Sequence, residues 1–166
     1  MNSNSKRIAI IAIFASLYTI AVGIFAFMSF NPFQARLADA LLPLSMIFGI
    51  PSIVGFGLGA LVSNFLFGGL GIIDIIGGAT ANLLACSLAY YIAKRKGIIF
   101  RFIGTLVETL VISLIVGGYL SLLFFDSLVI SIFGVLIGST ISIIMIGFPV
   151  QEAIRKSSIS KQIMEN

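Results

Sequence analysis

Few side chains in this 166-residue chain can do chemistry, and most of them lie inside apolar runs. Glu108 sits ten residues after Ile98 in one such run, with no basic residue within two turns along it. An ionisable group in hydrocarbon costs at least ~2.5–3.5 kcal/mol on insertion scales, so each one is a functional hypothesis by default. A carboxylate there is expected to hold its proton at rest or to accept hydrogen bonds from a ligand; the bland alternative is a neutral Glu bonded to Ser, Thr or Asn on a neighbouring span. Asp74 and Asn82, eight residues apart, fall about two turns apart on one helix face. With Asn64 and Glu108 they could surround one cavity. Taken singly, Asp74 could be a solvated helix start favoured by the helix dipole, and the two Asn could be interhelical glue. Gln34, Arg36 and Asp39 place an amide, a guanidinium fork and a carboxylate within six residues. Arg36 and Asp39 could equally pair with each other at the surface. Phe25, Phe27, Phe30 and Phe33 crowd the same segment, suited either to stacking on a flat ligand or to an interfacial belt.

The same inventory excludes much. There is no His and a single Cys, Cys86, so zinc sites, disulfide frameworks and His-based acid/base catalysis are not expected. No Gly-Lys-Ser/Thr occurs, which removes the nucleotide-binding P-loop. The chain is 59% hydrophobic and 10% charged, where a soluble domain is ~45–50% apolar and ~25% charged. Its net charge of +4 comes from cations clustered at the ends of apolar runs. A nucleic-acid partner is therefore not expected.

A bilayer core of ~30 Å needs about 20 apolar residues per helix. Six spans fit: 8–28, 38–50, 52–67, 72–93, 98–123 and 128–150, with a polar tail over 151–166 and no second domain. The first run is too long for a signal-peptide core and lacks a convincing cleavage site, so it reads as a retained span. The second is short for a crossing unless tilted or sheltered by protein. With six spans, Lys6, Arg7, Lys94, Arg95, Lys96, Arg101, Arg155, Lys156 and Lys161 share one side, and only Arg36 lies on the other. That asymmetry predicts cytoplasmic termini; a five-span count would place the basic tail outside. Asp39, Asp74 and Asp126 fall at outward-facing span ends. Gly55-x-x-x-Gly59, the Gly77, Ala81, Ala85, Ala89, Ala93 series and Gly134-x-x-x-Gly138 mark ridges where helices can pack closely.

Three stretches together resemble a known family. They are Phe33-Gln34-Ala35-Arg36-Leu37-Ala38-Asp39-Ala40-Leu41, the Gly-rich third span with Asn64, and Gly71 through Ala85 with Asp74, Gly77, Gly78 and Asn82. They are similar to the QueT family, substrate-binding (S) components of energy-coupling factor (ECF) transporters, most strongly over 30–93. The resemblance implies an all-α membrane protein of six transmembrane helices, an ECF S-component-like bundle in a prokaryotic cell membrane. It implies capture of queuosine precursors, 7-deazaguanine bases, with an EcfT-like coupling subunit and two cytoplasmic ATPases as partners. ATP would be used by those partners, with no cofactor in this chain. It also implies a small-residue docking face on the first helix, matched here by Ala12-x-x-x-Ser16 with Ala9 and Ala15 beside it.

Two departures stand out. The family pattern has an amide where Glu108 stands and a Gly-Glu pair in span six, where this chain has Gly138-Ser139. Either the carboxylate that reads the ligand has moved to Glu108 or the ligand differs. A deazaguanine edge offers adjacent N–H donors and one carbonyl. Asp74 or Glu108 could accept the donors, Asn82, Asn64 or Gln34 could donate to the carbonyl, and Asp39 could face an aminomethyl cation. The alternatives are an S component for another vitamin-like ligand and a stand-alone proton-coupled carrier using Glu108. An enzyme has little room without His or clustered carboxylates, and an assembly scaffold with no ligand would leave the polar residues idle.

Overall fold

In bilayer hydrocarbon a backbone must satisfy its own polar groups, which long apolar runs can do only as helices. In the computed structural model, residues 3–29, 36–124 and 127–157 are described, and every regular element among them is helical. The helices are α1 (Ser3–Ile24), α2 (Leu37–Phe48), α3 (Ile50–Gly68), α4 (Ile72–Ala93), α5 (Ile98–Phe124) and α6 (Leu128–Lys156), with one further turn at Ala26–Ser29. Five are long and apolar enough to cross a membrane, and α2 is shorter. Gln34, Phe30, Phe33, Asp126 and Lys161 lie outside the described residues.

The surface is apolar and much of the interior is polar or small. Ile13, Ile20, Leu114, Leu122, Ile137 and Met145 are exposed, while Asp39, Asp74, Asn82, Glu108, Ala81 and Ala85 are buried. A lipid-facing shell costs nothing in hydrocarbon, so close backbone approach has to hold the helices together. Gly55 and Gly59 are where α3 meets α1: a Cβ built on either would fall 2.8–2.9 Å from atoms of Phe14, Ile11, Ala15 or Tyr18. Gly77 of α4 lies under the Tyr119 ring of α5, and Gly104 of α5 lies against Met46 and the backbone of Ala89. Gly134 and Gly138 are buried within α6. All three small-residue ridges are packing surfaces.

The short second span is sheltered by protein, because α2 touches all five other helices. It is also stretched. Leu37–Leu44 winds as a 3-10 helix before Ser45–Phe48 relaxes to α. At ~2.0 Å per residue instead of ~1.5 Å, the eight residues reach roughly 4 Å further than an α-helix would. Pro43 contributes, since it has no N–H to donate and disfavours α geometry in the residue before it. In a 3-10 ladder that missing donor would have served the carbonyl of Ala40. Gly147 of α6 comes against that carbonyl, with a built Cβ only 2.7 Å away. There α6 is itself irregular: Thr140–Gly147 is a wide π-helical stretch.

Several boundaries move. The first helix covers Ser3–Ile24, where the sequence suggests 8–28; a turn at Phe25 interrupts it. Residues 151–156, read as tail, are the end of α6. Gln151 is buried there, and the Glu152 carboxylate is bound by Arg101 and Arg155. Side-chain pairing lets a polar sequence stay helical where hydropathy alone ends the span. The turn between α3 and α4 uses Gly69 and Gly71 at φ of 67° and 84°, where a side chain would be strained.

Gly55→Leu is expected to wedge α3 from α1, costing about 1–3 kcal/mol as an overpacking change and lowering Tm in detergent. Gly118→Ala, whose new methyl meets nothing within 4 Å, should leave Tm unchanged or slightly higher.

Candidate ligand-binding site

Helix α2 positions the first two site residues. Arg36 caps its start in extended conformation (φ −81°, ψ 90°), and Asp39 lies one 3-10 turn on. Both are almost completely buried, so the alternative of a surface pair is overturned. The Tyr18 hydroxyl of α1 donates to Asp39 Oδ1 at 2.6 Å and lies beside the Asn82 amide of α4. Asn82 Nδ2 donates in turn to the Phe56 carbonyl of α3 at 3.3 Å. Four helices thus meet at one polar knot.

A second knot adjoins it. Asp74 is fully buried in the first turn of α4, which removes the reading of a solvated helix start. The Tyr119 hydroxyl of α5 donates to Asp74 Oδ1 at 2.8 Å, and Asn64 Nδ2 donates to the Asp74 main-chain oxygen at 2.8 Å. Asn64 begins the π-helical end of α3, Asn64–Gly68. Gly78 joins the two knots: a Cβ there would fall 2.4 Å from Asn64 Nδ2 and 3.6 Å from an Arg36 guanidinium nitrogen. Arg36 interacts electrostatically with both Asp39 and Asp74.

Arg36, Asp39 and Asn82 form the polar wall of a cavity whose other wall is Ile112, Val116, Val135 and Ser139. Its volume is about 10 Å³, room for a single water and far short of a bicyclic base. The two walls must part before any such ligand can enter. The apolar wall is aliphatic, and Phe27, one candidate stacking residue, is 73% exposed.

Glu108 is not on that wall. It is fully buried on α5, one turn from Ile112 toward the basic end of the bundle, and Ser45 Oγ donates to its Oε1 at 3.2 Å. The hydroxyl partner named by the bland alternative is therefore present. Its Oε2 nevertheless has no hydrogen-bond partner among the described residues, and neither do Asp74 Oδ2 and Asn64 Oδ1. Buried acceptors without donors cost about 1–3 kcal/mol each, and such groups call for an explanation. None of the three lines the cavity itself; Asn64 and Asp74 adjoin its polar wall through Gly78 and Arg36, and Glu108 lies below it, positions that suit N–H donors of a ligand once the walls part.

Of the residues named from the sequence, Arg36, Asp39 and Asn82 line the cavity, Asn64 and Asp74 adjoin it through Gly78, and Glu108 lies one turn from Ile112; sequence reasoning passed over Tyr18, Tyr119 and Ser45. The two tyrosines carried a signal: a hydroxyl in the middle of an apolar run needs an acceptor. On α1, Ala12 and Ser16 are exposed, Ala9 is half-buried, and Ala15 faces Gly59 of α3.

No curated protein matches the chain, and no solved structure does. The family model described as QueT transporter matches residues 8–156, nearly the whole helical bundle. With its apolar helices this makes the chain a multi-pass membrane protein of a transport family. The chain belongs to the QueT transporter family.

Proposed function

We propose that this chain is the substrate-capture subunit of an ECF-type importer and binds a queuosine precursor, a 7-deazaguanine base, from outside a prokaryotic cell. The observation that carries the reading is the pair of buried acceptors without donors near Arg36, Asp74 Oδ2 and Asn64 Oδ1. A deazaguanine edge supplies adjacent N–H donors for Asp74 and, once the cavity opens, for Glu108. Its carbonyl suits the Asn82 or Asn64 amide, or Gln34. Asp39 faces an aminomethyl cation if the precursor carries one. A site built on such bonds discriminates strongly against analogues lacking them, because its own groups are then left unpaired.

The charge pattern supports the orientation. Arg36 is buried, so the described outer end presents no exposed cation, while the other end carries Lys6, Arg7, Lys94, Arg95, Lys96 and Arg155. By the positive-inside rule this pattern supports cytoplasmic termini. ATP is consumed by two partner ATPases, through an EcfT-like coupling subunit docked on the exposed Ala12 and Ser16 face of α1 with Ala9 and Ala15 at its edge. This chain itself needs no cofactor.

A second reading is favoured by one feature, the buried Glu108 whose Oε2 lacks a donor: a proton-coupled carrier that works alone. The two separate in liposomes. Base uptake is expected only when the coupling subunit and ATPases are added; uptake by this chain alone, driven by a pH gradient, would overturn the importer reading.

Purified protein should release a deazaguanine base identifiable by mass spectrometry; riboflavin, biotin or thiamine would keep the transport class and overturn the substrate. In direct titration, Asp39→Asn and Asn82→Ala are expected to weaken base binding by about tenfold or more, the loss of one buried hydrogen bond to a charged or amide group. Glu108→Gln should weaken it markedly, and unchanged affinity removes Glu108 from the site. Gly78→Ala adds a methyl where Asn64 and Arg36 meet; lower affinity with the bundle still folded is the expected result.

A further inference from the structure

The basic end of the bundle holds a groove unconnected to the cavity above. It is about 560 Å³ in volume and runs between the end of α2, the α4–α5 turn and the end of α6. Lys96, Arg101 and Arg155 line one part, and Met46, Ile47 and Ile98 line the rest. The geometry points to a binding site for an anionic phospholipid, its phosphodiester headgroup among the three cations and its acyl chains along the apolar part.

The charges are arranged for an incoming anion. Glu152 is shared by two guanidinium groups: Arg101 chelates it, and Arg155 reaches its Oε2 at 3.1 and 3.2 Å. One carboxylate between two guanidinium groups leaves a net positive charge, to which Lys96 adds. The neighbouring loop cations are engaged elsewhere. Lys94 lies 4.9 and 4.6 Å from the Tyr90 and Tyr91 ring centres, and Arg95 lies 5.8 Å from that of Phe100. Lys96 stands apart with a left-handed backbone (φ 52°), uncommon for a residue with a side chain. Gly97 and Ile98, at the start of the 27-residue helix α5, also line the groove, so the positive end of that helix dipole lies beside it.

The apolar part selects a lipid over a soluble anion. Ile98 is 56% exposed and continues directly onto the lipid-facing side of α5. Arg101 sits one turn inside the helix start, with side-chain exposure of 12% against 37% for Arg155. One guanidinium is therefore set deeper in the protein and the other stands at the mouth of the groove. Basic pockets between helix ends on the cytoplasmic side bind anionic headgroups in this way. The site depends on the bilayer and not on which base the protein carries.

The test uses the full chain in detergent. Phosphatidylglycerol is expected to raise Tm by several degrees more than phosphatidylcholine with the same acyl chains, and to remain as an adduct in native mass spectrometry. Lys96→Gln with Arg155→Gln should abolish both effects. Arg101 still pairs Glu152 in that variant, so the bundle stays folded, and its unchanged titration with the base would confirm this. Equal shifts from the two lipids overturn the proposal, as does a shift that survives the double substitution. The same shift from soluble glycerol phosphate would assign the groove to free phosphate esters and overturn the lipid.

Discussion

A hydroxyl and a carboxylate buried together in hydrocarbon satisfy each other, and either alone is costly. The bundle uses that constraint twice. Tyr18 ties α1 to α2 through Asp39, and Tyr119 ties α5 to α4 through Asp74. Around them the helices have no hydrophobic force to hold them, only close contact at glycines and these few directional bonds. The polar residues that suit a ligand are thus also the residues that set the relative positions of α1, α2, α4 and α5. Binding and architecture share one set of atoms. Any ligand that takes over one of those acceptors also changes what joins two helices.

Much of the fold was legible because apolar length is a strong signal. The fourth span, 72–93, is α4 to the residue, since Gly71 and Lys94 bound it sharply. The small-residue series marked faces where helices pack closely, and the structure pairs them as α1–α3 and α4–α5, because glycine and alanine let backbones come so near. Boundaries failed where pairing replaces hydropathy. Gln151 and Glu152 look like the start of a tail, yet one is buried and the other is held by two arginines.

The site was legible as a set of residue types and much less as a geometry. Asn64, Asp74 and Asn82 are expensive wherever a helix is in lipid, so sequence alone marks them. Their donors are harder to see. Tyr18 and Tyr119 are counted among the hydrophobic residues, and nothing in their local sequence says that each faces a carboxylate more than twenty positions away. Glu108 was placed by its position along α5. Its donor Ser45 follows the 3-10 stretch of α2, which no periodicity in a short apolar run reveals.

That winding has a consequence for how the two buried centres communicate. At three residues per turn, Arg36, Asp39, Leu42 and Ser45 stack along a single edge of α2. The edge runs from the cavity wall at Arg36 and Asp39 to the hydroxyl that holds Glu108. Rewound at 3.6 residues per turn, positions 36 and 45 would lie about half a revolution apart. Ser45 would then swing off Glu108 while the arginine stayed put, or the reverse. The pitch of one short rod therefore decides whether the pocket and the carboxyl group beneath it share an edge of α2.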